Sequence, residues 1–304
     1  MDSSAEATKG QRCSVYYVLH VLIIAAIYAT LAISLDLVVG HTGILSVAHA
    51  AFFGVGAYTA AIGSTRFGAS LASCLFCAVV IGIVTSFFLS VPSLRIRSDY
   101  FVIVTFSFQV IMTNIFSNWI SVTRGSLGIP GIPQPTVLGI TIRSEASFLL
   151  VSIALMSVVW CLIVSVSRSP FGRVLHALRE DETLAQALGK NVLRFKAITF
   201  ALSAASACAA GVIYAYYIGF VDPTSFTVMD SILLISMVII GGAGSTWGPA
   251  AGALLVVLLP EGLRFLGLSS QVAADIRQIT FGLVLVLMIG VRPKGMFGHF
   301  EVGR

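Results

Sequence analysis

Few residues in this chain could do chemistry inside its long apolar runs. Asp36, His49, Gln109 and Asn114 are the polar or ionisable side chains that interrupt them, with His20 early in the first run. Such groups are costly at membrane depth and so mark functional positions by default. Asp36 and His49 flank a glycine corner, Gly40-His-Thr-Gly43, and are expected to pair across it, which would offset their desolvation. That pair serves either packing or a gate on a permeation path. A second corner, Gly241-Gly-Ala-Gly244 followed by Gly248 and Gly252, has the same character. Small residues so spaced let helices approach closely in lipid. The alternative is that the unwound corners at Gly40, Gly43, Gly241 and Gly244 line a pathway.

The reagents of catalysis are missing from the sequence. There is no G-x-x-x-x-G-K-[ST] phosphate loop, no H-E-x-x-H, no G-x-S-x-G and no Cys/His ligand set. Cys74 and Cys77 form a lone C-x-x-C, and four of the five cysteines lie in apolar runs, where they read as small hydrophobes. A membrane enzyme would need polar groups converging at one depth, so transport is the expected activity. With few acidic residues in the runs, coupling to protons or sodium is poorly supported. The energy is expected to come from elsewhere.

Composition fixes the elements that must carry these residues. Of the 304 residues 57% are apolar and only 10% charged, where a soluble domain carries roughly a quarter charged. Mean hydropathy is +0.98. In lipid every backbone polar group needs an internal partner, and long unbroken apolar runs select helices over a barrel. The expected fold is all-α, a polytopic transmembrane helical bundle of about nine spans: 14–39, 43–63, 68–91, 99–118, 147–167, 197–219, 228–243, 248–266 and 276–291. Residues 1–13 read as a polar, disordered tail, 14–291 as the transmembrane domain and 292–304 as a C-terminal tail. The net charge of +5 suits loops facing anionic headgroups; no basic stripe with interleaved aromatics points to nucleic acid.

The longest charged stretch is 168–196, RSPFGRVLHALREDETLAQALGKNVLRFK. Ser169 and Pro170 start a helix, since Ser caps orphan N–H groups and Pro tolerates the first position. Phe171, Val174, Leu175 and Leu178 recur at helical spacing, while Arg173, His176, Arg179 and Glu180 point elsewhere. Asp181 and Glu182 could cap a second short helix before the stop at Gly189. The segment either joins two spans or docks a cytoplasmic partner. Placing it inside puts eleven of the eighteen Lys and Arg there, including Arg95, Arg97, Arg292, Lys294 and Arg304, and sets the N-terminus outside. The 119–147 connection then faces outward; Pro130, Pro133 and Pro135 forbid a regular helix and favour an extended or turn-rich path, either ordered against other outer loops or a partner or serving as a plain linker.

Several motifs in order carry a resemblance. ATLAISLDLVVGHTGILSVAHAAFFGVGAYTAA, SDYFVIVTFSFQVI with RGSLGIPGIPQP, the 168–196 loop running on to DPTSF, GGAGSTWGPAAGALLVVLLPEGLR and the terminal RPKGMFG resemble the branched-chain amino acid ABC importer permeases of the LivM type, across residues 28 to 298. The resemblance implies a multi-pass permease subunit of the bacterial inner membrane, which is not an enzyme and has no cofactor of its own. ATP would be bound by two cytoplasmic ABC ATPase subunits, and a second, LivH-like permease and an extracytoplasmic substrate-binding protein would complete the importer. It also implies that Phe171, Gly172, Arg173, Arg179, Glu180, Glu182, Ala185 and Gly189 form the coupling helix that docks into an ATPase. The greasy face would sit in or beside the ATPase cleft, with the arginines at its rim. Arg124, Gly125 and Pro130 become candidate contacts for the binding protein. Two departures stand out: family members usually carry a further span before 14–39, and Asp36 and His41 stand where Asn and Tyr are more usual. An importer of urea or short amides, and a stand-alone facilitator lacking an ATPase, are the competing readings.

Overall fold

The computed structural model describes residues 2–93, 98–137, 140–264, 282–283 and 296–297. The chain is a bundle of long helices: α1 (Asp2–Thr42), α2 (His49–Phe67), α3 (Leu71–Ser93), α4 (Ser98–Asn118), α5 (Ile120–Thr123), α6 (Glu145–Arg168), α7 (Pro170–Glu180), α8 (Glu182–Ala187), α9 (Val192–Ile218), α10 (Val228–Gly241) and α11 (Gly248–Arg264). Among the described residues six helices are long and apolar enough to cross a membrane, and Gly248–Leu259 is a shorter apolar one. The chain is therefore a multi-pass helical membrane protein. α2 is not among the six because Ala, Gly and hydroxyl residues dilute its apolar content. Of the nine expected spans, 276–291 lies outside the described residues except for 282–283, and Arg95, Arg97 and nearly all of the 292–304 tail also lie outside them.

Two boundaries differ from the sequence reading. Helix α1 runs back through the polar residues from Asp2, in place of a disordered tail. α2 starts at His49, not 43, because Gly43 takes φ +72 and breaks the chain out of helix. Ile44, Leu45 and Val47 are apolar, so hydropathy alone counts this broken stretch as part of a span. The 168–196 loop, as its capping residues suggest, is two helices meeting at Asp181. Ser169 Oγ accepts from the Phe171 and Gly172 amides to start α7, and the Asp181 carboxylate accepts from the Thr183 and Leu184 amides to start α8.

The core lies where α2, α3 and α9 press together. α9 is nearly all small residues on the way from Ala201 to Gly211, and a Cβ on Gly211 would stand 2.1 Å from the Phe53 carbonyl oxygen. At the end of the bundle away from α7, the proline-rich connection forms strand β1 (Ile129–Pro130), a hairpin of β2 (Thr136–Val137) with β3 (Ile140–Thr141), and a pairing of β1 with β4 (Phe220–Val221). That antiparallel pairing holds the loop against the α9–α10 connection.

Candidate functional site

The glycine corners meet at the end of the bundle that carries α7. α1 ends at Thr42, so the Gly40 carbonyl is one of the last four that lack a partner within the helix. Arg179 of α7 donates to it through Nη1. One turn earlier on α1, Asp36, only 2% exposed, accepts through Oδ1 from the Gly244 amide at 2.7 Å. Gly244 lies just past α10 with φ +78. A Cβ on Gly40 would fall 2.1 Å from Asp36 Oδ1 and 2.3 Å from Gly244 N, so the absence of a side chain there is what lets the two corners touch. Gly43 leaves room for the Arg179 stem, whose Cγ would lie 3.1 Å from an added Cβ. Gly241 abuts the Gly248 carbonyl, where a Cβ would sit 2.0 Å from the oxygen.

His41 joins the same cluster. Its Nδ1 lies 3.6 Å from Asp36 Oδ2, its Nε2 is 2.9 Å from Ser167 Oγ, and its ring is 5.4 Å from that of His176. Beside it, Asp36, Trp160, Ser167 and Ser245 help line a cavity of about 40 Å³. Trp160 donates to the Thr246 carbonyl at 3.0 Å and packs on Trp247, pinning the second corner to α6.

Asp36 and His49 do not pair. His49 Nε2 lies 2.8 Å from Ser34 Oγ, and Ser34 and Asp36, two residues apart, are about 200° apart around α1 and serve opposite faces. The Ser34 contact also places the start of α2 about 12 Å back from the end of α1. There Gln109 Oε1 accepts from the Ala51 amide at 2.7 Å and from Ser231 Oγ at 3.1 Å, while its Nε2 donates to the Phe226 carbonyl at 2.9 Å. Gln109 is thus a clamp joining α2, α4 and α10. Asn114 is not brought to it: its side chain is exposed and donates back to the Val110 carbonyl at 2.9 Å.

The loop residues divide between two faces. Leu175 and Leu178 are buried among Ile33, Leu37, Val159 and Ile163, with Ala185 and Val192 in the same cluster. The apolar face of α7 therefore packs on its own bundle through Leu175 and Leu178, with Phe171 and Val174 half-buried beside them, where the expectation placed that face in or beside an ATPase cleft. Phe171 packs on Phe195 with ring centroids 4.9 Å apart, and Gly172 sits against the Ser167 carbonyl. Glu182 is turned to Lys196, Oε2 to Nζ 2.6 Å, which braces α8 on α9. Arg179 faces inward, against the expectation of a rim arginine. Arg173, Glu180 and Gly189 remain exposed, and with them Leu184 at 58% and Leu188 at 70%. At the other end of the bundle Arg124 takes a left-handed φ of 61°, Gly125 is buried beneath it and Pro130 is exposed on β1.

Sequence reasoning missed Ser34, Ser167, Ser231, Trp160 and Lys196. Only Lys196 carried a signal: a lysine entering an apolar helix needs a carboxylate, and Glu182 was the acid on the adjoining short helix. The serines have no pattern that separates them from back-bonded hydroxyls elsewhere in the spans.

His176 gives this end of the molecule a pH response. Burial, and then the neighbouring Arg179, lower its pKa below the ordinary 6.5, with Glu180 opposing. The docked loop thus binds fewer protons than an undocked one, so docking is complete above the ordinary histidine value and weakens as pH falls through it. Limited trypsin cleavage at the exposed Arg173 is expected to quicken between pH 8 and pH 6 relative to a reference substrate, and His176→Gln is expected to flatten the difference.

These features define a helical membrane protein with a folded, charge-bearing helix pair clamped to one end of its bundle. Residues 17–289 match the family model described as branched-chain amino acid transport system / permease component, and the chain belongs to that family. It is 33% identical over 293 residues to the high-affinity branched-chain amino acid transport system permease protein LivM of Salmonella typhimurium, covering 89% of this chain and 67% of that one. Identity to LivM of Escherichia coli K12 is 34% over 293 residues, with the same coverage. Identity to LivH of Salmonella typhimurium is 25% over 292 residues, covering 90% of this chain and 92% of that one. No solved structure matches.

Proposed function

We propose that this chain is a permease subunit of an ATP-driven importer, forming the path for branched-chain amino acids across the bacterial inner membrane together with a second, LivH-like permease. Two cytoplasmic ATPases bind the nucleotide, so no nucleotide site or cofactor is assigned here, and an extracytoplasmic protein delivers the cargo. The observation that carries this reading is the α7–α8 unit. It is folded by its own caps and its Lys196–Glu182 brace, and it is fastened to the bundle by its apolar face while offering charged and apolar side chains outward. A connecting loop has no need of such an outward surface; a coupling element does. The docking face on this reading is Arg173, Glu180, Leu184 and Leu188, with Gly189 turning the chain away. The Arg124–Pro130 turn at the opposite end, exposed at Arg124, Ser126, Leu127 and Pro130, is the candidate contact for the binding protein. The gate is assigned to the paired glycine corners.

Co-purification in detergent with the ATPases encoded beside this chain tests the reading. The native chain is expected to retain both ATPases. Arg173→Glu combined with Leu184→Asp is expected to release them, since placing like charge and a buried carboxylate in an interface costs several kcal/mol, on the order of 2–5. A native chain that retains no ATPase would defeat the importer reading in favour of a facilitator.

A further inference from the structure

We infer that Arg179 and Asp36 form an internal tie that fastens the α7–α8 unit to both glycine corners, and that this tie delivers the unit's movement to α10 and α11. The inference rests on the importer reading and gives its mechanical step to two residues. The packing of Leu175 and Leu178 into the bundle is apolar and tolerates sliding, because dispersion contacts have little direction. A hydrogen bond from an arginine to an orphan carbonyl has direction. Arg179 makes that bond to Gly40, at the negative end of the α1 dipole. Asp36 continues the line by accepting from the Gly244 amide, 208 positions away.

Three otherwise separate facts have one cause on this view. Gly40 leaves space for the Asp36–Gly244 bond, Gly43 leaves space for the Arg179 stem, and Gly244 takes a left-handed φ that turns its amide toward α1. A displacement of α7 cannot leave the end of α1 unmoved without breaking the Gly40 bond. The end of α1 cannot move without pulling the loop between α10 and α11, which Trp160 holds on its other side. The chain leaves helix within each corner, at Gly43 after α1 and at Gly242 after α10, so these are where the backbone can absorb a change of angle.

The test uses the complete complex of permeases, ATPases and binding protein in proteoliposomes, reading leucine taken up per ATP hydrolysed. Arg179→Ala is expected to keep both ATPases bound and to lower the uptake ratio tenfold or more. Arg179→Lys, which can still donate to Gly40, recovers part of it. Asp36→Asn keeps an acceptor for the Gly244 amide and retains more of the ratio than Asp36→Leu; with Arg179→Lys it guards against a mere folding defect. An unchanged ratio in Arg179→Ala overturns the tie, as does equal loss in Asp36→Asn and Asp36→Leu. If Arg179→Ala releases the ATPases while the native chain holds them, Arg179 is a docking residue and the inference is overturned alone. If the native complex itself holds no ATPase, the importer reading fails first and the tie falls with it.

Discussion

A single methyl group at Gly211 or Gly56 is expected to prevent this bundle from assembling. Gly211→Ala would place a carbon 2.1 Å from the Phe53 carbonyl oxygen and 2.8 Å from the Ala57 nitrogen; Gly56→Ala would place one 2.0 Å from the Cys208 carbonyl oxygen. The two sites are reciprocal. Each puts one helix backbone of the α2–α9 pair directly on the other, and Cys208 Sγ reaches the Phe52 carbonyl at 3.1 Å between them. α3 closes on the same spot, where a Cβ on Gly82 would lie 2.6 Å from Cys208 Sγ. In lipid, burial of apolar surface does not drive helices together, so close van der Waals packing and polar contacts must do so. Here the obstacle would be backbone, which no rotamer change can move aside. The cost should therefore exceed the roughly 1–3 kcal/mol typical of overpacking against side chains. The expected result is loss of the monodisperse peak in size-exclusion chromatography for each single variant. Variants that elute and melt like the native chain would mean that α2 and α9 are not in backbone contact.

What the sequence reveals about this architecture follows the range of the interactions involved. Hydropathy is a local sum, and it gives the helical bundle and most span positions. Capping is local too: Ser169-Pro170 and Asp181 mark the two loop helices because the side chain and the amides it serves lie within three residues. The glycine corners stand out by composition, though composition alone leaves helix packing and pathway lining as alternatives. The failures are long-range. Asp36 and His49 are near one another in sequence and share a corner, so a pair is the economical guess. Their real partners are Gly244, 208 positions away, and Ser34 on the other face of the same helix. Arg173 and Arg179 read alike as charges on one amphipathic helix, yet one is exposed and the other is turned onto the orphan carbonyl at Gly40. Helical spacing ranks the faces of a helix; it does not say which carbonyl waits beneath.

Gln109 and Asn114 make the same point as a measurable contrast. Both are amides on α4, five positions apart, and nothing in the sequence ranks one above the other. Gln109 is fully buried and bonds to groups on or beside α2 and α10; Asn114 is exposed and bonds only within its own helix. Leucine at 109 would fill similar volume while offering neither donor nor acceptor. The Ala51 amide would keep only its bond to Ala48 O, the Ser231 hydroxyl would lose its acceptor, and the Phe226 carbonyl would keep only the Thr113 hydroxyl at 3.1 Å. A buried polar group left unpaired costs about 1–3 kcal/mol, so Gln109→Leu should destabilise the isolated chain by about 2–4 kcal/mol once these partial compensations are allowed for. Asn114→Leu removes only an intrahelical side-chain bond on an exposed face and should stay within about 0.5 kcal/mol of native. Thermal unfolding of the two variants in one detergent measures the difference. Equal shifts would mean that Gln109 does not clamp α2 to α10. A large drop for Gln109→Leu alone would establish that the start of α2, set back inside the bundle at membrane depth, is held in place from α4.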